Sequence, residues 1–172
     1  MTTEYAALAL KAREFAKSMH ANQKYGTEPY VVHLELVRTI LLESHYERIY
    51  EVAAWLHDML EDTHVTVELM NALFGAQVTT LVWAVTGTGG NRKERNESIY
   101  EKLAIVPAAI PLKLADRIAN VTCAREDAKT SLFTMYRDEH AEFVKRLAPY
   151  SLGCTMWERL QSEITAHGRI SL

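Results

Sequence analysis

Apolar positions along this chain recur mostly at three- and four-residue intervals, the period of a helix with one buried face. Between Glu4 and Ala21, the residues Ala6, Ala9, Leu10, Ala12, Phe15, Ala16 and Met19 form one broad stripe. Gly26 and Pro29 interrupt the pattern over Gln23 to Pro29. A second helix is predicted from Val31 to Ser44, with Leu34, Val37, Ile40 and Leu41 inward and His33 in its first turn. A third covers Glu47 to Glu61. Thr66 is placed to cap a helix that ends at Phe74, with Gly75 as its stop. Ala76 to Thr86 has the Val, Thr and Trp content of a strand. A strand isolated between helices has no pairing partner, so a helix is expected there too. Gly87 to Asn91 reads as a flexible loop before a helix from Arg92 to Ala104. Pro107 and Pro111 open a helix through Leu114, Ala115, Ile118 and Val121. After a polar break over Asp127 to Ser131, helices follow at Leu132 to Ala148 and Thr155 to Ala166. With no repeat, linker or low-complexity stretch, the expectation is an all-α bundle forming a single domain over residues 1–172.

Composition narrows the class of protein. A chain of 172 residues, 48% hydrophobic and 24% charged, suits one globular domain with a sizeable core. The net charge of −3 supplies no global basic field for nucleic acid. An anionic ligand must therefore meet a local cluster of Lys and Arg. No apolar run approaches the roughly 18 residues of a membrane span, and the N-terminus lacks the pattern of a secretory signal. Two cysteines, Cys123 and Cys154, do not make a disulfide framework, so a reducing cytoplasm is expected. The pattern leaves homo-oligomerisation open.

The chemistry concentrates in Trp55-Leu56-His57-Asp58-Met59-Leu60-Glu61-Asp62. His57 and Glu61 are four apart, as are Asp58 and Asp62, which puts each pair on one helical face. Val52, Ala53, Trp55, Leu56, Met59 and Leu60 surround them with apolar surface. Ionisable groups in such company must be paired, shifted in pKa or bound to a metal. The plainer alternative is a core histidine satisfied by a carbonyl, with Glu61 and Asp62 as a solvated helix end. Asp116 lies inside the apolar run of its own helix and is a second candidate for a buried acid. His33, His57, Asp58 and Asp116 thus bring two imidazoles and two carboxylates from three helices. That set suits Mn2+ or Fe2+, tolerates Zn2+, and suits Ca2+ less.

Cations that would hold a phosphorylated ligand are Lys24, Arg92, Lys93, Arg95, Lys113 and Arg117. Arg92 to Arg95 taken alone read first as a solvated helix start, and Lys113 and Arg117 read equally as side chains snorkelling from a buried helix. Tyr136, in MYRDEH, reads as packing.

The order His33, His57-Asp58, Asp116 resembles the HD-domain metal-dependent phosphohydrolases. The segments HANQKYGTEPYVVH (His20 to His33), AAWLHDMLEDT (Ala53 to Thr63), FGAQVTTLVWAVTG (Phe74 to Gly87), NRKERNESIYEKL (Asn91 to Leu103) and PLKLADRIANV (Pro111 to Val121) narrow it further. They resemble the hydrolase domain of Rel/SpoT proteins, above all the stand-alone small alarmone hydrolases of the Mesh1-like group, over residues 5 to 150. The resemblance implies an HD-domain helical bundle in which His33, His57, Asp58 and Asp116 hold one Mn2+. It implies that Glu61 and Asp62 position and activate the attacking water, and that Asn120 reaches the ribose or phosphate side of a nucleotide substrate. The implied reaction removes the 3′-pyrophosphate of ppGpp or pppGpp. With no synthetase region following, degradation alone is expected.

The chain also departs from that pattern. Lys24 and Tyr25 stand where an Arg that packs on the guanine is common, and Cys123 stands where a Thr is usual. Tyr25 is a residue that can stack on a base. Two alternatives remain beside the alarmone reading: an HD phosphohydrolase acting on another nucleotide, and a non-catalytic metal- or nucleotide-binding protein of the same fold.

Overall fold

The computed structural model describes residues 2–151 and 153–166. Helices account for nearly all of it. They are α1 (Thr2–Met19), α2 (Val31–Glu43), α3 (Arg48–Leu56), α4 (Met59–Asp62), α5 (Val67–Phe74), α6 (Ala76–Val85), α7 (Arg92–Ile105), α8 (Ile110–Glu126), α9 (Thr130–Leu147) and α10 (Met156–Thr165). Short 3-10 turns at Pro107–Ala109 and Ala148–Tyr150 lead into α8 and out of α9. The all-α expectation holds, and no described helix is long and apolar enough to cross a membrane. Both cysteines are free.

Local signals set the helix ends. Thr66 Oγ1 accepts from the Leu69 N–H, and Asn91 Oδ1 accepts from the Glu94 N–H, which satisfies first-turn donors of α5 and α7. Gly75, at φ 84°, stops α5 and starts α6 in a backbone region that side chains rarely adopt. The segment from Ala76 is helical despite its β-branched content, because tertiary packing outweighs a weak propensity.

Helix α8 is the axis of the bundle. Ile110, Leu112, Leu114, Ala115, Ile118, Val121 and Ala124 are all buried, and α8 packs against α2, α3, α6, α9 and α10. A helix apolar on nearly every side belongs in the middle of a core. Asp116 and Arg117 are carried inside with it.

Two local features differ from the sequence pattern. The helix expected over Glu47 to Glu61 is broken, with α3 ending at Leu56 and α4 beginning at Met59. His57 Nδ1 donates to the Ala54 carbonyl at 2.8 Å, the acceptor that a continuous helix would offer to Asp58. Asp58 sits at φ −96°, ψ 0°, where its carbonyl accepts from the Glu61 and Asp62 N–H groups. The break at Gln23 to Pro29 contains a small hairpin, β1 (Lys24–Tyr25) against β2 (Glu28–Pro29), turned by Gly26 at φ 65°. Strands of two residues are too short to leave a periodic signature.

Within α3, Glu51 is only 4% exposed. It accepts from Arg38 Nε at 2.8 Å and Arg48 Nη1 at 2.6 Å. Burial pushes its pKa up, but the hydrogen bonds and charges of Arg48 and Arg38 outweigh that and hold it below the usual glutamate range. A depressed folded-state pKa stabilises the fold above the unfolded pKa, and that stability is lost as pH falls through the folded value. Glu51→Gln should therefore lower stability at pH 7, by no more than about 3 kcal/mol because Arg48 is half exposed. The gap from wild type should narrow as pH falls below about 4, the ordinary glutamate range. Thermal melts of both proteins across that interval check this.

Candidate active site

Four polar side chains from α2, the α3–α4 turn and α8 converge on one point. His57 Nε2 lies 3.0 Å from Asp58 Oδ2 and 3.2 Å from His33 Nε2. His33 Nε2 is 3.5 Å from Asp58 Oδ2 and 3.4 Å from Asp116 Oδ1, and His57 Nε2 is 3.8 Å from Asp116 Oδ1. Donors sharing one octahedral ion at bonds of about 2.1 Å sit about 3 Å apart. The observed spacings fit that arrangement. By mutual distance His33, His57 and Asp58 form a metal-compatible group, and Asp116 joins it only through its approaches to the two imidazoles.

The protonation pattern makes the same point. His57 Nδ1 donates to Ala54, so in the neutral ring the lone pair belongs to Nε2, which faces the other three groups. The centre therefore gathers acceptors and calls for positive charge. Burial alone would lower the pKa of His57, yet Asp58 and Asp116 push it up to about 10. His33 shifts upward for the same reason. Asp58 and Asp116 are held far below the usual carboxylate range, chiefly by His57 for the first and by Lys113 for the second, against the effect of burial. A divalent cation would supply the same charge without protonating the rings, and the donor set fits one.

Partners outside this group fix its orientation. The Tyr30 hydroxyl donates to Asp58 Oδ2 at 2.5 Å. Asn120 Nδ2 donates to Asp116 Oδ1 at 2.6 Å, while Lys113 Nζ holds Asp116 Oδ2 at 2.8 Å. Glu61 and Asp62 stand one turn beyond, at the mouth of the site. Glu61 Oε2 accepts from the Gly87 N–H at 2.8 Å and its other oxygen lies 3.7 Å from Arg95 Nε. Asp62 Oδ2 accepts from Gln23 Nε2 at 2.8 Å.

A cavity of about 240 Å³ opens above the centre, walled by Glu61, Asp62, Arg92, Arg95, Lys113, Arg117 and Asn120 among others. Lys24 and Lys93 are exposed and do not line it. Lys93 instead faces a neighbouring groove beside Glu97 and Glu142. Tyr25 lies at the edge, its ring 4.7 Å from that of His33 and its hydroxyl donating to Asn120 Oδ1 at 3.1 Å.

Sequence reasoning missed Tyr30, Gln23, Asn96 and Glu139. Glu139 accepts from Arg92 Nε at 2.6 Å and from Arg117 Nη1 at 2.9 Å, so two of the wall cations already have a counter-ion. Both guanidinium groups also lie over the Tyr136 ring, at 5.3 and 4.8 Å. Tyr136, expected as packing, is buried and also lines the cavity. Glu139 follows Tyr136 by three residues, a helical spacing that shares its face.

A helical bundle whose two histidines and two aspartates meet in this order defines an HD-type metal-binding domain. The sequence profile of the HD-domain family matches residues 12–141, and the chain belongs to that family. Among curated proteins it is 36% identical over 151 residues to the guanosine-3′,5′-bis(diphosphate) 3′-pyrophosphohydrolase of Aquifex aeolicus, covering 83% of this chain and 22% of that protein. It is 33% identical over 115 residues to the bifunctional (p)ppGpp synthase/hydrolase SpoT of Escherichia coli, covering 62% of this chain and 16% of that one. The chain thus spans only a small part of these longer relatives. Among solved structures it is similar to a metazoan ortholog of SpoT described as hydrolyzing ppGpp, with TM-score 0.75, 26% identity, and coverage of 94% of this chain and 96% of that one. A Listeria monocytogenes protein at TM-score 0.66 and 23% identity shares the fold.

His57→Ala and Asp116→Ala should each lose bound divalent metal while keeping the helical circular-dichroism spectrum. Elemental analysis of purified protein checks this, with full metal occupancy in either variant as the contrary result.

Proposed function

We propose that this chain hydrolyses the 3′-pyrophosphate ester of ppGpp or pppGpp, using a divalent metal, Mn2+ first among candidates, held by His33, His57, Asp58 and Asp116. The observation that carries the reading is the adjacency of three features: four converging donors, an acid pair one turn beyond them, and a cation-walled cavity above. The names of the relatives supply the substrate. The two-imidazole, two-carboxylate donor set favours Mn2+ or Fe2+ over Ca2+ and still admits Zn2+.

When bound, such an ion activates water as a nucleophile and neutralises developing phosphoryl charge. The protein residues supply the rest. Glu61, tethered to the Gly87 N–H, and Asp62, tethered to Gln23, stand ready to orient the attacking water and take its proton. Arg92, Arg95, Lys113 and Arg117 line the path of the substrate phosphates. A phosphate arriving there competes with Glu139 for Arg92 and Arg117, and with Asp116 for Lys113. That exchange of partners keeps the wall paired when the site is free. Tyr25 and Asn120 face the nucleoside side, with Tyr25 offering a ring for stacking. Lys24 and Lys93 lie outside the cavity and contribute only at its approaches. The compartment proposed for this activity is the cytoplasm.

Protein stripped with chelator should be inactive on ppGpp and should regain turnover with Mn2+, releasing GDP and pyrophosphate in equal amounts. Full turnover in metal-free buffer, or another nucleotide hydrolysed far faster, overturns the assignment. Glu61→Gln and Asp62→Asn should retain metal and substrate binding while turnover falls by about 100-fold or more, the usual cost of removing a general base. Single-turnover rates measured beside metal content separate this from loss of the metal itself.

A further inference from the structure

The loop before the hairpin holds a hydrogen-bond chain that ends on one of the two mouth acids. Gln23 Nε2 donates to Asp62 Oδ2 at 2.8 Å, and His20 Nδ1 donates to Gln23 Oε1 at 2.7 Å. The direction is forced by chemistry. An ionised carboxylate only accepts, so the Gln23 amide must turn its nitrogen to Asp62 and its oxygen to His20. The backbone of Gln23 is pinned as well, its N–H donating to the His20 carbonyl at 2.9 Å and its carbonyl accepting from the Tyr30 N–H at 3.1 Å. Every polar group of this residue is therefore engaged.

His20 is a fitting anchor. It is 4% exposed, and its ring packs on Tyr30 with centroids 4.8 Å apart. Tyr30 in turn donates to Asp58. The acids at the start and end of α4 are thus both gripped by one segment, Asp58 by Tyr30 and Asp62 by Gln23.

Asp62 needs such a grip. It is the last residue of a one-turn helix and is exposed to solvent, so no packing fixes its rotamer. We propose that Gln23, set by His20, is a positioning residue that holds the Asp62 carboxylate toward the attacking water. The inference rests on the reading of Asp62 as an acid that acts on that water. Catalytic groups must be held close to productive geometry by neighbours whose own conformations are locked. Losing such a neighbour typically costs about 10- to 100-fold in activity.

The test uses the metal-loaded protein and ppGpp. Gln23→Leu keeps bulk and removes the amide, Gln23→Glu keeps the shape and sets a carboxylate against Asp62, and His20→Phe keeps the ring against Tyr30 and removes the donor. The expected result is a kcat lowered about 10-fold or more in both Gln23 variants, and less in His20→Phe, with KM, metal content and melting temperature near wild type. In an Asp62→Asn background, Gln23→Leu should cause no further loss, because its effect passes through Asp62. Wild-type kcat in both Gln23 variants while Asp62→Asn is slow overturns the positioning role and leaves Asp62 intact. An equal loss in both backgrounds also overturns it, since Gln23 would then act elsewhere. Wild-type turnover by Asp62→Asn itself overturns the reading of Asp62, and the role of Gln23 with it. Should Gln23→Leu fold poorly, the isosteric Gln23→Glu carries the same comparison.

Discussion

Two carboxylates that each lie 3.0 to 3.8 Å from the same two imidazoles inside an apolar bundle gather negative charge and lone pairs, and call for positive charge among them. Stripping charges of water costs several kcal/mol per ion even after relaxation, so such a cluster persists only with compensation. The fold supplies its parts from three places. Helix α2 brings His33, the α3–α4 turn brings His57 and Asp58, and the central helix α8 brings Asp116. The helix break is part of the device. His57 takes the Ala54 carbonyl, the chain turns, and adjacent side chains that would diverge by about 100° on a helix point into one centre.

Around that centre the protein satisfies polar groups in layers. Asp116 divides its oxygens, one toward the histidines and Asn120, the other toward Lys113. Asp58 receives Tyr30, Glu61 receives the Gly87 N–H, and Asp62 receives Gln23. The Gly87 contact ties the acid pair to the glycine loop, and the Gln23 contact ties it to the hairpin that also presents Tyr25. The acid pair and the Tyr25 ring are therefore positioned by the same short segments, so a shift of the hairpin moves both.

The cationic wall follows a similar economy. Arg117 is buried, stacked over Tyr136 and Phe143, and would be costly without Glu139. Glu139 binds Arg92 as well, so one carboxylate orders two guanidinium groups. Burial of Glu139 favours its neutral form, but hydrogen bonds from Arg92 and Arg117 prevail and lower its pKa. The wall is thus charged and internally paired, and pre-ordered groups of this kind reduce the ordering cost of binding any ligand.

Much of this protein was legible in the chain. The helical period announced an all-α bundle because buried faces must repeat with the helix. His33, His57, Asp58 and Asp116 stood out because ionisable residues set among apolar neighbours demand a partner. Their mutual distances confirm that they meet, though no spacing along the chain determined where. Other features had no local signature. The break at His57 arises from one side-chain bond to a backbone carbonyl, and the hairpin is too short for a pattern. Gln23, Tyr30 and Glu139 are ordinary residues whose importance lies in contacts across 39, 28 and 22 positions of sequence. Lys24 and Lys93 show the converse, since as charges they resemble Arg92 and Arg95, yet only the packed structure leaves them outside the cavity. Residue type and period determined the class of fold and the donor set. Only long-range packing decided which acids are gripped, which cations are paired and which face the site, because those depend on neighbours that folding alone brings together.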